Sequence, residues 1–213
     1  MKPFNIYLTG VGGQGIGLLS EVLLRAGDHA GLPVKGVDTH GLAQRGGIVV
    51  SRLRFGAGVY SPLIPAGEAD LVVALERHEA LRGVNTALKD GGTLIYYDTV
   101  WQPLEVRLKK APPVDENTVA ETCRKRDIRE ISVFRPDLKE SLMQNIVVLA
   151  HISGESLIPG VTTAHYKTAM ADLMSGAMLA KNMALFDEEL EMNRGRVPGV
   201  GGQGKRKTKG SRQ

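Results

Sequence analysis

Apolar positions along this chain follow two rhythms: short runs that are continuous or alternate every second residue, and longer stretches at helical spacing. Asn5 to Thr9 is a run of β-formers, Gly10-Val11-Gly12-Gly13-Gln14-Gly15 follows, and Ile16 to Ala30 continues at helical spacing. The order predicts strand, glycine turn and helix. A second strand is expected over Leu32 to Asp38. Thr39 to Gly47 reads as a loop dense in glycine and polar side chains, and Ile48 to Phe55 alternates as a third strand. No helix fits between these two strands.

Ala69 to Leu75 is a continuous apolar run of buried-strand type, Glu76 to Leu88 a helix closed by Gly91-Gly92, and Thr93 to Tyr97 another buried strand. Pro103, Pro112 and Pro113 bracket a predicted strand at Glu105 to Leu108. Asp115 to Asp127 is helix-capable, Ile131 to Phe134 a short strand, and Leu138 to Ile152 helical. Thr162 or Thr163 can cap a long helix with Met170, Leu173, Met174, Ala177 and Met178 on one face. Its end, Asp187-Glu188-Glu189-Leu190-Glu191, sets carboxylates against the negative helix terminus, so the last turn is expected to fray or to meet basic surface. The alternation predicts a three-layer α/β domain with a mostly parallel sheet and helices on both faces. Both glycine loops then emerge at the carboxyl ends of strands, where ligands bind in such sheets.

Composition sharpens this. The 213 residues are 42% hydrophobic and only 5% aromatic, so the core must be built from Val, Leu, Ile, Ala and Met. One cysteine excludes a disulfide framework, a cysteine zinc cluster and a self-contained iron–sulfur site. That residue, Cys123, is followed by Arg124-Lys125-Arg126, which suggests a thiolate-prone setting, but no partner motif gives it catalytic work. The formal charge of +4 is uneven: residues 194 to 213 hold seven Lys and Arg and no acid, leaving 20 Lys+Arg against 23 Asp+Glu in residues 1 to 193. The chain therefore divides into a domain, 1–193, and a Gly-rich basic tail, 194–213, expected to be disordered. The tail has no aromatic platform for bases, so nucleic acid is not the expected partner. The amino-terminal residues lack the apolar stretch of a secretory signal, and no run approaches a membrane span, so a cytoplasmic location is expected.

Gly10-x-Gly12-x-x-Gly15 between strand and helix fits the dinucleotide fingerprint, in which glycines let backbone N–H groups approach an anion. Asp38 lies where an acid would meet a ribose hydroxyl, so an NAD(P)- or flavin-binding oxidoreductase is one reading. Against it stand the missing crossover helix after the second strand and the polar Gln14, whose amide suggests a contact with another chain or a polar ligand. A tight turn with no ligand fits the glycines equally well. A phosphate-loop NTPase is excluded, because Ile16 stands where its lysine is needed. His29, His78, His151 and His165 are scattered and give no metal site; Ser20 and Ser51 lack a neighbouring base signature.

The combination is more specific than its parts. Gly10-Val11-Gly12-Gly13-Gln14-Gly15, then Thr39-His40-Gly41-x-Ala43-Gln44-Arg45-Gly46-Gly47 leading into Val49-Val50-Ser51, resembles the gamma-type domain of the pyruvate/2-oxoacid:ferredoxin oxidoreductases, most closely the small beta subunits of the indolepyruvate type. The likeness continues through Glu68 to Glu76, Gly91 to Ile95 and Asn145 to Leu149. It implies a complex that oxidatively decarboxylates a 2-oxoacid to acyl-CoA and reduces ferredoxin. Thiamine diphosphate, Mg and [4Fe-4S] clusters would sit in a large alpha subunit, with CoA as co-substrate and no cofactor held by this chain alone.

Within that likeness the second loop is the candidate for direct work. Arg45 can pair with a carboxylate or phosphate, and His40 can orient the loop or carry a proton. Gly46-Gly47 permit close approach of backbone, and Gln44 can bridge chains. Gly10, Gly12, Gly13, Gln14, Gly15, Thr39, Gln44, Gly46 and Gly47 are the candidate cofactor or partner contacts, and Arg52 and Arg54 could extend a positive path from Arg45. A third reading is a noncatalytic scaffold whose basic tail recruits an acidic partner.

Overall fold

The computed structural model describes residues 2–40, 47–100, 114–138 and 140–194. Six strands, β1 (Phe4–Val11), β2 (Val34–His40), β3 (Ile48–Phe55), β4 (Ala69–Ala74), β5 (Leu88–Tyr97) and β6 (Arg129–Val133), form one sheet in the order β2-β3-β1-β4-β5-β6. The pairings of β1 with β4, β4 with β5 and β5 with β6 are parallel; β3 alone runs the other way, antiparallel to both β2 and β1. The connection from His40 to Ile48 is too short for a parallel crossover, so β2 and β3 can only fold back as a hairpin. The expected α/β architecture holds, as a mixed sheet with one reversed strand.

Helices cover both faces. On one lie α1 (Ile16–His29), α4 (Gln144–Gly154), α5 (Thr163–Leu173) and α6 (Gly176–Arg194); on the other lie α2 (Arg77–Thr86) and α3 (Glu116–Lys125). Strand alternation sorts the core: Ile6, Leu8, Leu71, Val73 and Ile95 point to the four-helix face, whereas Tyr7, Val72, Leu94 and Tyr96 point to the two-helix face. Each fully buried aliphatic side chain contributes about 1.5–3 kcal/mol. Helix α4 is buried on every side from Gln144 to Ser153, which is why its sequence shows no amphipathic stripe.

Several expectations change. Gly91-Gly92 do not close a helix: α2 ends at Thr86, β5 starts at Leu88, and the two glycines lie where the pairing with β4 shifts register between Ala69 and Leu71. The long carboxyl-terminal helix is two helices, broken where Met174 is extended and Gly176 turns with φ +56. The break lets α5 pack on α1 and α6 on α4, so Met170 and Met174 are buried while Met178 is exposed. The acidic end of α6 does meet a cation: Arg135 donates to Glu188 and Glu189 at 2.8 Å each, and to Asp137 at 3.0 Å. Cys123 is not thiolate-prone. It is 1% exposed in the two-helix core, and burial, with Glu130 adding and Arg126 opposing, pushes its thiol up to about 12. Of the basic residues after it in sequence only Arg126 acts on its sulfur, and burial outweighs it. The predicted strand at 105–108 and the tail 195–213 lie outside the described residues.

Candidate functional site

The glycine turn is built around its own glutamine. The Val11 N–H donates to Gln14 Oε1 at 2.7 Å, and Gln14 Nε2 donates to the Leu75 carbonyl at 3.0 Å. Gln14 is 0% exposed. The expected outward contact of this amide is therefore corrected: both its polar ends are committed to main chain, because a buried amide is costly unless bonded. A side chain at Gly10 would lie 2.9 Å from Gln14 Oε1, so that glycine makes room for the amide. Gly13 (φ +102) and Gly15 (φ +83) supply the left-handed backbone that starts α1.

Two further amides, absent from the sequence-based site, hold the same turn. Gln144 Nε2 donates to the Leu75 carbonyl at 3.2 Å, and Asn145 Nδ2 donates to the Gly15 carbonyl at 3.3 Å. The only sequence signal was a pair of amides opening an otherwise apolar helix, and its target lies 130 positions away.

The second loop joins the first through its last residue. The Gly12 N–H donates to the Gly47 carbonyl at 2.8 Å, so both glycine segments share the carboxyl edge of the sheet. The His40 backbone pairs with Val49 there. Thr39 is exposed, and its Oγ1 accepts from an Arg52 Nη1 at 3.4 Å. Gln44, Arg45 and Gly46 lie outside the described residues. Of the two arginines suggested to extend a positive path from Arg45, Arg52 lies over the Tyr7 ring at 5.6 Å. Arg54 points toward the opposite edge, donating to Asn5 Oδ1 at 2.9 Å and to the Ser61 carbonyl at 3.1 Å.

The dinucleotide reading loses its geometry in this sheet. Asp38 belongs to the outer strand β2, which β3 separates from β1, and it accepts a hydrogen bond from Ser20 Oγ at 3.1 Å. An acid meant for a ribose beside the Gly10–Gly15 turn would need its strand next to β1.

Beside the turn lies a buried carboxylate network. Thr9 Oγ1 donates to Glu79 Oε2 at 2.8 Å, and Arg82 Nε to Glu79 Oε1 at 3.1 Å. Glu76 caps α2 by accepting from the Glu79 N–H. Its other oxygen faces His78 Nδ1 at 3.2 Å, while His78 Nε2 accepts from the Val114 N–H at 3.2 Å. With Nε2 accepting, Nδ1 carries the proton that is donated to Glu76. Burial raises the Glu76 carboxyl above its ordinary value, opposed by the N–H groups of His78 and Glu79 and by the His78 ring. The network ties the ends of β1 and β4 to α2 and to the start of the α3 segment. No group of three or more His, Cys, Asp or Glu is placed to hold a metal ion among the described residues.

The same edge also carries exposed apolar side chains. Ile48 at the start of β3, Val100 beyond β5, Phe134 beyond β6 and Leu142 before α4 are all exposed, Phe134 and Leu142 to 56% and 59%. They are four of the eight exposed large apolar side chains among the described residues; Tyr60 and Leu63, exposed to 92% and 62%, lie by Arg54 at the opposite edge.

Compared with known proteins, residues 5–192 match the pyruvate ferredoxin/flavodoxin oxidoreductase family. The chain belongs to this family. Indolepyruvate oxidoreductase subunit IorB of Archaeoglobus fulgidus is 35% identical over 187 residues, covering 84% of this chain and 90% of that one. The subunit of the same name from Thermococcus kodakarensis is 41% identical over 118 residues, 54% of this chain and 58% of its own length. The chain thus spans little more than half of the Thermococcus relative. Among solved structures, the gamma subunit of a keto/oxoacid ferredoxin oxidoreductase from Geobacter sulfurreducens superposes with a TM-score of 0.62 at 20% identity, covering 90% of this chain and 98% of that one. A 2-oxoglutarate:ferredoxin oxidoreductase from Magnetococcus marinus gives 0.67 at 19% identity, covering 93% of this chain but 32% of the other. These likenesses confirm the family's α/β fold. In the Magnetococcus enzyme the same fold is one part of a much longer chain. No helix among the described residues is long and apolar enough to cross a membrane.

Proposed function

We propose that this chain is a subunit of a cytoplasmic, thiamine-diphosphate-dependent 2-oxoacid:ferredoxin oxidoreductase of the indolepyruvate or arylpyruvate type, and that its carboxyl edge faces a large alpha subunit. The observation that carries this reading is the likeness to the Archaeoglobus subunit over nearly the whole of both chains. The joined glycine loops and the exposed apolar side chains at that edge add a surface suited to a partner.

The chain's own donors do not fit the family's cofactors. An iron–sulfur cluster needs several thiolates, and the sequence has one cysteine, buried in the core. The described carboxylates at the edge are bonded to backbone, Thr9, Arg82 and His78 rather than gathered for a metal ion. On this reading thiamine diphosphate, Mg and the clusters are held by the partner. This chain contributes the loops that close over the edge. Arg45 binds a carboxylate or phosphate of the 2-oxoacid or CoA, His40 orients the loop, and Gly46-Gly47 allow its backbone to come close.

The test is anaerobic co-expression with the large subunit, followed by assay of CoA- and arylpyruvate-dependent ferredoxin reduction. The isolated chain is expected to be colourless and inactive, and the pair brown and active. Losing a charged hydrogen-bond pair at Arg45→Ala, worth about 1.5–3 kcal/mol, lowers kcat/KM roughly 10- to 100-fold. An isolated chain that binds NAD(H) or a flavin and needs no partner refutes the reading.

A further inference from the structure

The amides of Gln144 and Asn145 stand at the start of α4, 1% and 3% exposed, where apolar side chains would fill the same space without needing bonds. Neither caps its own helix: the residue preceding α4, Met143, makes no side-chain cap, and both amides donate across the fold. Gln144 shares the Leu75 carbonyl with Gln14, so the anchor of the glycine turn and the anchor of α4 meet on one oxygen. Asn145 holds the Gly15 carbonyl and packs so closely that a Cβ on Gly15 would lie 2.5 Å from its Nδ2. Because α4 is enclosed on all sides, it is a fixed post against which the turn is set.

We infer that Gln144 and Asn145 are positioning residues for the reaction: they hold the Gly10–Gly15 turn in register at the partner-facing edge, acting through the Leu75 and Gly15 carbonyls. The inference rests on the oxidoreductase-subunit reading. Displacing a catalytic surface by about 1 Å can cost on the order of 100-fold in rate, so a clamp of this kind acts on turnover more than on affinity.

The experiment uses the complex of full-length chain and large subunit, with Gln144→Met, Gln144→Glu, Asn145→Ala and Asn145→Ser. Gln144→Met and Asn145→Ala are expected to lower kcat roughly 10- to 100-fold with KM for 2-oxoacid and CoA within about twofold and assembly intact. Asn145→Ser, which retains a hydroxyl donor in little more volume than alanine, recovers part of the loss. In Gln144→Glu only the protonated carboxyl can donate to the Leu75 carbonyl, so its kcat relative to wild type rises as pH falls, whereas the Gln144→Met ratio stays flat. A role confined to stability moves the melting temperature and none of these ratios. Wild-type kcat in the Met and Ala variants, or a Gln144→Glu ratio independent of pH, overturns the inference. If the Gln144 variants do not fold, the Asn145 pair decides: equal kcat for Ala and Ser overturns it. An inactive wild-type complex refutes the subunit reading itself, and the inference falls with it.

Discussion

Gln14→Met keeps the volume of the side chain and removes both ends of its amide. The Leu75 carbonyl still receives the Gln144 amide at 3.2 Å, so it stays satisfied. The Val11 N–H loses its acceptor at 2.7 Å and, on a residue that is itself buried, has no water to replace it. One orphaned buried donor costs about 1–3 kcal/mol. Taking about 2 kcal/mol, a chain of this size should melt roughly 4–8 °C lower. The assay is thermal denaturation by far-UV circular dichroism, with urea unfolding to check that the slope m is unchanged. Gln14→Glu serves as the control. It keeps an acceptor for Val11 but turns an oxygen toward the Leu75 carbonyl in a fully buried place, so its folded-state carboxyl is raised above the unfolded value. Stability of that variant is fully present below the ordinary Glu range, about 4.3, and is lost as pH rises through the folded-state value. A Gln14→Met protein that melts with wild type, or a Gln14→Glu protein equally stable at low and neutral pH, would falsify the assignment of this amide as the internal clamp of the turn.

Arg135→Ala should be among the most damaging single changes, because it leaves the buried Glu189 without its main cation; breaking such a pair costs about 3–5 kcal/mol, readable by urea denaturation, and a loss under 1 kcal/mol refutes the reasoning. Burial alone would raise the Glu189 carboxyl, but the His151 ring, 3.6 Å away, and the hydrogen bond from Arg135 outweigh it and hold it below its ordinary value. That contribution is present above the unfolded Glu value and is lost as pH falls through the folded one, so the gap between wild type and Arg135→Ala should narrow in acid. Cys123, with its thiol pushed up to about 12 in a buried site, should resist iodoacetamide at pH 8 in the native chain and react fully in urea; stoichiometric labelling of the native chain contradicts the burial.

The chain's local patterns determined the framework. Alternation and continuous apolar runs marked β1, β3, β4 and the core of β5, the Gly10–Gly15 segment marked a strand-to-helix turn, and the short polar link after β2 forced a reversed neighbour. The motifs in both glycine segments also carried the family. These features depend on residues close in sequence, where period, turn chemistry and loop length act directly. Tertiary structure alone decided the rest. Gln14 reads as an exposed amide until Leu75 arrives from another strand, and Gln144 and Asn145 read as an odd opening to an apolar helix until they reach a turn 130 positions away. Cys123 reads as basic in its surroundings because its neighbours in sequence are, but a helix turns successive side chains to different sides, and its sulfur faces the sheet. The split between α5 and α6 follows from packing on two different helices, which no stretch of methionines can announce. Glu76, His78 and Glu79 are joined to one another along the chain at the start of α2, but only the parallel pairing of β1 with β4 brings Thr9 to Glu79, and only the packed fold brings the Val114 N–H to His78.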